Sequence, residues 1–361
     1  MTTTYTLKVQ TTAGVEVAQS VSFDTLTYTK HVNEPGLAHI TFRADDAIVP
    51  YFVDKALVEV WRENADWGLA RACDFWGIVR KVRRYYSDQD MLEVYAPGQM
   101  SLLSWRTVDY AANTTGRSVF THTAPETVMK ELVKYNATAS GTTADGRKRL
   151  ATIAGITIQT DGAAGTHLDW ACSNDNLLQT LQSLALVAGG DFDLVNTGAA
   201  AWNFRWYLGQ LGTDRRASLW FGLDRGNMAE SEYTWDHINE ATVAIVGGQG
   251  QDTDRVYEIR TGADYVSGTS DYEVFVDARD CTTTAALDAR GDARLDDMRA
   301  KQAFTFKAMQ TATCAYGIHY YLGDLATAYY ADITDVVKVT GVTVAATKEG
   351  GEAINIETES V

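Results

Sequence analysis

The sequence predicts an α+β chain, rich in β structure, with β regions at both ends and a middle α/β region between them. Three observations predict it. Alternating apolar and polar runs cluster near both ends. Helical periodicity is concentrated in the middle, with one later exception near 282–301. The composition, with 18 Tyr, only 4 Pro, and abundant Thr and Val, leans toward strands. The expected division is 1–112, 113–232 and 233–361.

In residues 1–112, Tyr5-Thr6-Leu7-Lys8-Val9 alternates as a strand. A turn at Pro35-Gly36 precedes a second, Leu37 to Arg43. Leu57 to Trp61, Phe75 to Val82 and Met91 to Tyr95 follow at spacings that suit a barrel or sandwich. Leu102 to Val108 is expected to close that set.

In residues 113–232, Thr123 and Glu126 have capping-box spacing, and Pro125 stands near the first helical position. Val128, Met129, Leu132 and Val133 form one stripe, so a core helix is expected over 124–135. Residues 136–149 read as an exposed loop. A second helix is expected from about Ser173 or Asn174. Leu177, Leu178, Leu181, Leu184 and Ala185 share a face, and Gly189-Gly190 ends it. Phe192 to Val195 and Trp202 to Tyr207 flank a turn at 196–198 and read as a hairpin.

In residues 233–361, Ala241 to Val246, Arg255 to Ile259 and Tyr272 to Val276 read as strands. The helix near 282–301 carries like-charge pairs at i,i+4, Asp288 with Asp292 and Arg290 with Arg294, which suits a partly exposed helix. Strands after Gly323-Asp324 and over Asp335 to Val344 finish the chain.

Charge and motifs bound the function. Net charge is −16. Residues 1–112 carry 11 basic and 14 acidic side chains, residues 113–232 carry 10 and 12, and residues 233–361 carry 10 and 21. So acidic a final third argues against stable nucleic-acid binding, which needs Lys and Arg to displace phosphate counterions. An acidic surface serves solubility in general, and it also lets a polyanion slide past without sticking. No run of about 18 apolar residues exists, so no membrane-spanning helix is expected. The start, Met1 to Tyr5, has no signal-peptide pattern, so assembly in a cytoplasm is the expectation.

Cys73, Cys172, Cys281 and Cys314 are far apart and read as buried free thiols. HExxH, GxSxG and the Walker A pattern are missing. The glycines at 247–250 have no Lys-Ser/Thr after them and read as a loop. His31, His39, His122, His167, His237 and His319 show no i,i+4 pair. Asp45-Asp46 and Asp296-Asp297 are adjacent, so their side chains diverge. No catalytic, cofactor-binding or metal-binding residue is therefore assigned, and no cofactor or enzymatic activity is expected. Trp202, Trp206, Tyr207, Trp220 and Phe221 offer a sugar-stacking platform. However, Trp202, Phe204 and Trp206 share one hairpin face, which favours a core stripe.

The order of the pieces resembles the siphophage tail-tip hub family, relatives of the central baseplate hub of contractile-tailed phages. The residues are Phe75 to Val79, Leu92 to Tyr95 and Leu102 to Arg106, then Leu177 to Gly190 and Phe221 to Met228. Asn239 to Gly248, Tyr316-Gly317 and Leu322 to Asp324 follow. The resemblance runs over nearly the whole chain and implies a homotrimer. Its two barrel-like tube domains per chain would make a pseudo-sixfold ring. That ring would join the sixfold tail tube to threefold tip parts and surround a channel for DNA and the tape-measure protein. The implied partners are other copies of the chain, distal tail and tail-tube proteins, and tip or fibre proteins. DNA would be met only in transit, with no stable nucleic-acid or membrane binding. The implied location is the virion tail tip. Lytic or receptor-binding modules of longer relatives would reside on other chains. The alternatives are a carbohydrate-binding tail or surface module and, behind it, a cell-wall hydrolase.

Overall fold

The computed structural model describes residues 3–109, 117–141, 152–279, 281 and 283–361. It is mostly β-sheet with few helices. Residues 1–229 with 307–359 form one compact unit, and essentially Glu230–Phe306 forms the other. Most of the loop expected at 136–149 lies outside the described residues.

In the first unit, β1 (Thr4–Gln10) turns into β2 (Glu16–Ser20). Next, β3 (Thr25–His31) and β4 (Glu34–Arg43) pair antiparallel. Their turn is at Val32-Asn33, not at Pro35-Gly36, which lies inside β4 as a bulge. Gly36 has φ +62, and a Cβ there would sit 2.1 Å from the Thr29 carbonyl oxygen, so only glycine fits the bulge. β5 (Leu57–Asn64) and β6 (Leu69–Ile78) complete a sheet ordered β2-β1-β5-β6. The strand expected over Phe75–Val82 is broken at Val79-Arg80. There the chain leaves β6 and enters β7 (Lys81–Tyr86) in a different sheet. β7 pairs with β8 (Asp90–Pro97). Residues 102–108 do not form the expected closing strand. Gln99–Trp105 is a 3₁₀ helix, because Met100, Leu102 and Leu103 all turn into the core, which period-2 alternation forbids.

The middle of the chain brings β9 (Ser118–Thr123), α1 (Pro125–Ala137), β10 (Ile156–Ile158) and β11 (Leu168–Cys172). α2 (Leu177–Ala188) and the hairpin of β12 (Gly190–Gly198) and β13 (Ala201–Leu208) follow. Both expected helices are present. The capping box is not: Ala124 occupies the N-cap of α1, and Glu126 instead meets Lys130 and accepts from the Ala164 N–H. The α1 stripe, the α2 leucines and Trp202, Phe204 and Trp206 fill one core with Phe192 and Leu194. β14 (Trp220–Gly222) then leads toward β15 (Met228–Asp236).

The second unit holds β16 (Val243–Gly247), β17 (Tyr257–Thr261) and β18 (Glu273–Asp277), ordered β17-β16-β18. α3 (Thr284–Asp297), inside the span expected near 282–301, packs Leu287 and Leu295 on Ala244, Val246 and Val276. The like-charge pair Asp288 and Asp292 is tolerated because Arg260 of β17 reaches both, at 3.8 and 2.7 Å. β19 (Lys301–Ala308) pairs with β15.

The chain ends in β20 (Leu325–Tyr330), the long β21 (Ile333–Thr347) and β22 (Glu352–Ser360). They join an eight-stranded sheet ordered β14-β20-β21-β3-β4-β8-β7, with β22 also on β21. β21 pairs β20 through Ile333–Lys338 and β3 through Gly341–Thr347. The two ends of the sequence thus share one open sheet. This differs from a separate barrel at each end, and its cause is the length of β21, which outreaches β20 and recruits β3.

Candidate functional site: buried charges joining the two ends

Alternation sets these charges. Along β3, Leu26 and Tyr28 are buried, so Lys30 follows on the same face. Along β5, Val58 and Val60 are buried, so Arg62 follows inward too. Lys30 Nζ lies 3.0 Å from Asp74 Oδ1 and 3.0 Å from Tyr316 Oη. Tyr316 Oη also donates to Asp74 at 2.9 Å, and Tyr28 donates to the other carboxylate oxygen. Arg62 forms a bidentate pair with Glu352 of β22, at 2.8 and 3.1 Å, and a third bond to the Tyr316 carbonyl at 3.1 Å. Thr3 and Tyr5 donate to the same Glu352 carboxylate.

Two further buried acids do similar work. Asp191 accepts from Lys338 of β21 at 2.7 Å, from Asn33 at 3.1 Å and from the Leu211 N–H at 2.7 Å. Asp324 accepts from Arg215 and the Thr213 N–H, both at 2.6 Å, and from the Tyr321 N–H. Each joins segments far apart in sequence. A buried carboxylate survives only with such partners.

The electrostatics make these groups structural. Burial would raise the Asp74 carboxyl, but the Lys30 charge and the donated hydrogen bonds outweigh it and hold the group below its ordinary value. Burial would lower the Lys30 ammonium, yet Asp74 and Tyr316 raise it. Burial pushes the Tyr28 and Tyr316 hydroxyls well up. A cleft of about 430 Å³ opens beside the network, lined in part by Lys30, Asp74, Trp76, Asn33 and Asp193. Burial raises the Asp193 carboxyl and the Cys73 thiol there. At neutral pH these shifts favour the ammonium form of Lys30 and the thiol form of Cys73.

The residues weighed in the sequence fall elsewhere. Trp202, Phe204 and Trp206 are core residues, which takes the platform away from a sugar ligand. Trp220 is partly exposed beneath the Arg225 guanidinium. His122 and His167 stack at 4.8 Å, and His39 stacks on Tyr95 at 4.5 Å. His31 meets Glu357, His237 meets Glu240, and His319 Nδ1 accepts from the Ala315 N–H. Among the described residues, no three of His, Cys, Asp and Glu stand together as a metal set. Cys73, Cys172, Cys281 and Cys314 are free; Cys314 is buried and the other three are half-buried. The sequence reading missed Lys30, Arg62, Asp74, Asp191, Asp324 and Glu352. One signal was present: Lys30 and Arg62 are charges on the inward phase of an alternating strand.

The sequence profile of the Siphovirus ReqiPepy6 Gp37-like protein family matches residues 15–358. No curated protein matches the sequence. Among solved structures, the tail protein from Neisseria meningitidis MC58 is similar at 14% identity and TM-score 0.58, over 98% of this chain and 97% of that one. The 43 kDa tail protein of prophage MuSo2 from Shewanella oneidensis is similar at 12% identity and TM-score 0.59, over 99% and 97%. A chain of the half-lidded Francisella PdpA-VgrG complex is similar at 6% identity and TM-score 0.56, over 99% of this chain and 58% of that one. At these identities the likeness is one of fold.

Proposed function

The chain belongs to the Siphovirus ReqiPepy6 Gp37-like protein family, and we propose on that premise that it is the trimeric hub of a siphophage tail tip. As a phage tail or baseplate structural protein, it joins the sixfold tail tube to threefold tip components. The two tube-forming parts are drawn from residues 1–112 and 233–361, which are joined through the shared sheet rather than standing as separate barrels, and 113–232 form the middle α/β part. Three copies present six tube parts around a channel that passes DNA and the tape-measure protein. Its partners are its own copies, the distal tail and tube proteins and the tip or fibre proteins. It assembles in the host cytoplasm and stays at the virion tail tip. Its work is mechanical, with no catalytic residue, metal or cofactor.

One observation carries this reading: the β3–β21 pairing, backed by the Arg62–Glu352 and Lys338–Asp191 pairs, binds both chain ends into one sheet. A part that transmits load between tube and tip needs such a join. The test is stoichiometry. Quantitative mass spectrometry of purified tails is expected to find three copies of this chain for every six of a tube-ring protein. One copy or six per ring contradicts the reading.

A further inference from the structure

In the second unit α3 packs on one sheet face only; on the other, apolar side chains stay exposed around Arg255, whose guanidinium lies 5.6 Å from the Tyr257 ring and 5.2 Å from the Phe275 ring and pairs with Asp277. Register places Ile259, Ile245 and Phe275 in a row across β17, β16 and β18. α3 covers the opposite face through Ala244, Val246 and Val276. On the face away from α3, Ile259 is 67% exposed, Phe275 54% and Tyr257 51%. An exposed apolar row of this kind on a three-stranded sheet marks a contact surface. Its surroundings are acidic: residues 230–306 carry 16 acidic and 7 basic side chains, a net −9 of the chain's −16. Glu273 stands two residues before Phe275, on the same face of β18.

Elsewhere the chain offers the complement. β7 is the edge of the eight-stranded sheet, so among the described residues its outer backbone groups have no strand neighbour. With Arg80 it concentrates Lys81, Arg83 and Arg84 in five residues. Val82, 42% exposed, and Tyr86, 78% exposed, share a face with Arg84. Arg80 and Arg83 pair with Asp54 and Glu93 at 3.2 and 3.1 Å, and Arg84 pairs with Asp90; of these side chains all but Glu93 are exposed. Such pairs are worth about 0–1 kcal/mol and exchange readily.

We propose that the face of the second unit away from α3 in one copy docks on the β7 edge of the next copy. The Ile259–Ile245–Phe275 row covers Val82 and Tyr86, and Glu273 faces Arg84. The inference rests on the ring reading and names the contact that closes the ring. Like-on-like docking of two second units would set −9 against −9. A head-to-tail contact avoids this, and closes when its rotation fits.

The test uses the full chain in sedimentation equilibrium at low and high salt. Association into closed three-copy rings is expected, weakening as salt rises. Phe275→Asp, Glu273→Arg and Arg84→Glu should each weaken it by about tenfold or more, and the swap Glu273→Arg with Arg84→Glu should restore it. All three positions are exposed, so circular dichroism and Tm should match the parent chain. Rings unchanged by Phe275→Asp and Arg84→Glu overturn the contact but leave the hub reading standing. A chain that stays monomeric at every concentration overturns it too. So does a Phe275→Asp effect seen only with another tail protein present, which would assign the face to that protein. Twofold symmetry in assembled tails would instead defeat the hub reading itself.

Discussion

At the residue scale, a few buried charges tie distant segments of the chain together. The Arg62 side chain is 4% exposed and that of Glu352 14%, and the two form a bidentate pair between β5 and β22. Arg62→Met strands the Glu352 carboxylate, so chemical denaturation should show a loss of about 3–5 kcal/mol. Asp74 adds a pH dependence. Its carboxyl is depressed, so the folded state binds its proton less tightly than the unfolded chain does. The stability it contributes is present above about pH 4, its unfolded range, and is lost as pH falls through the depressed value. Asp74→Asn should flatten that part of the stability curve measured from pH 5 down to pH 2. The thiols are quiet for a similar reason. Burial pushes both Cys172 and Cys314 up to about 11, so they should react with thiol reagents at pH 7 only slowly until the chain is unfolded.

At the element scale, two devices position the helices. Asn176 caps α2 by accepting from the Leu178 and Gln179 N–H groups, and its Nδ2 donates to the Ser104 carbonyl at 2.8 Å. Asn176→Ala should cost about 1–2 kcal/mol, read as a lower urea midpoint. Asn176→Asp keeps the acceptor but loses the donor, so it should fall between. Gly291 lets α3 approach its sheet: a Cβ there would stand 2.6 Å from Arg260 Cγ and 2.7 Å from a Val246 methyl. Gly291→Ala, favourable in a free helix, should therefore destabilise the second unit here. Much of this scale was legible in the sequence. The α1 and α2 stripes and the strands at Tyr5–Val9, Leu57–Trp61 and Asp335–Val344 follow from periodicity. The misses have local causes. Leu102-Leu103 breaks alternation, so no strand forms there. Phe75–Val82 alternates without a visible stop at Val79-Arg80, where the chain changes sheets. Thr123 cannot complete a capping box once Ala124 takes the N-cap. The buried charges were the least legible, because the partners of Lys30 and Arg62 lie 44 and 290 residues away at Asp74 and Glu352.

At the scale of the whole molecule, the acidic excess gathers in residues 230–306, while the shared sheet joins both ends of the chain. An assembled hub should present a net negative channel wall, with much of the acid from residues 233–361. Such a wall holds no Lys/Arg clusters to trap phosphates by counterion release, and salt screens its repulsion within about 8–10 Å. An electrostatic map of the assembled ring with a neutral or positive lumen would refute this. The central claim is the hub itself, and electron cryomicroscopy of the intact tail tip tests it most directly. Three copies of this chain are expected in one threefold ring, with six tube parts around an open channel below the last sixfold tube layer. A twofold arrangement, an open helical one, or a position off the tail axis would contradict it.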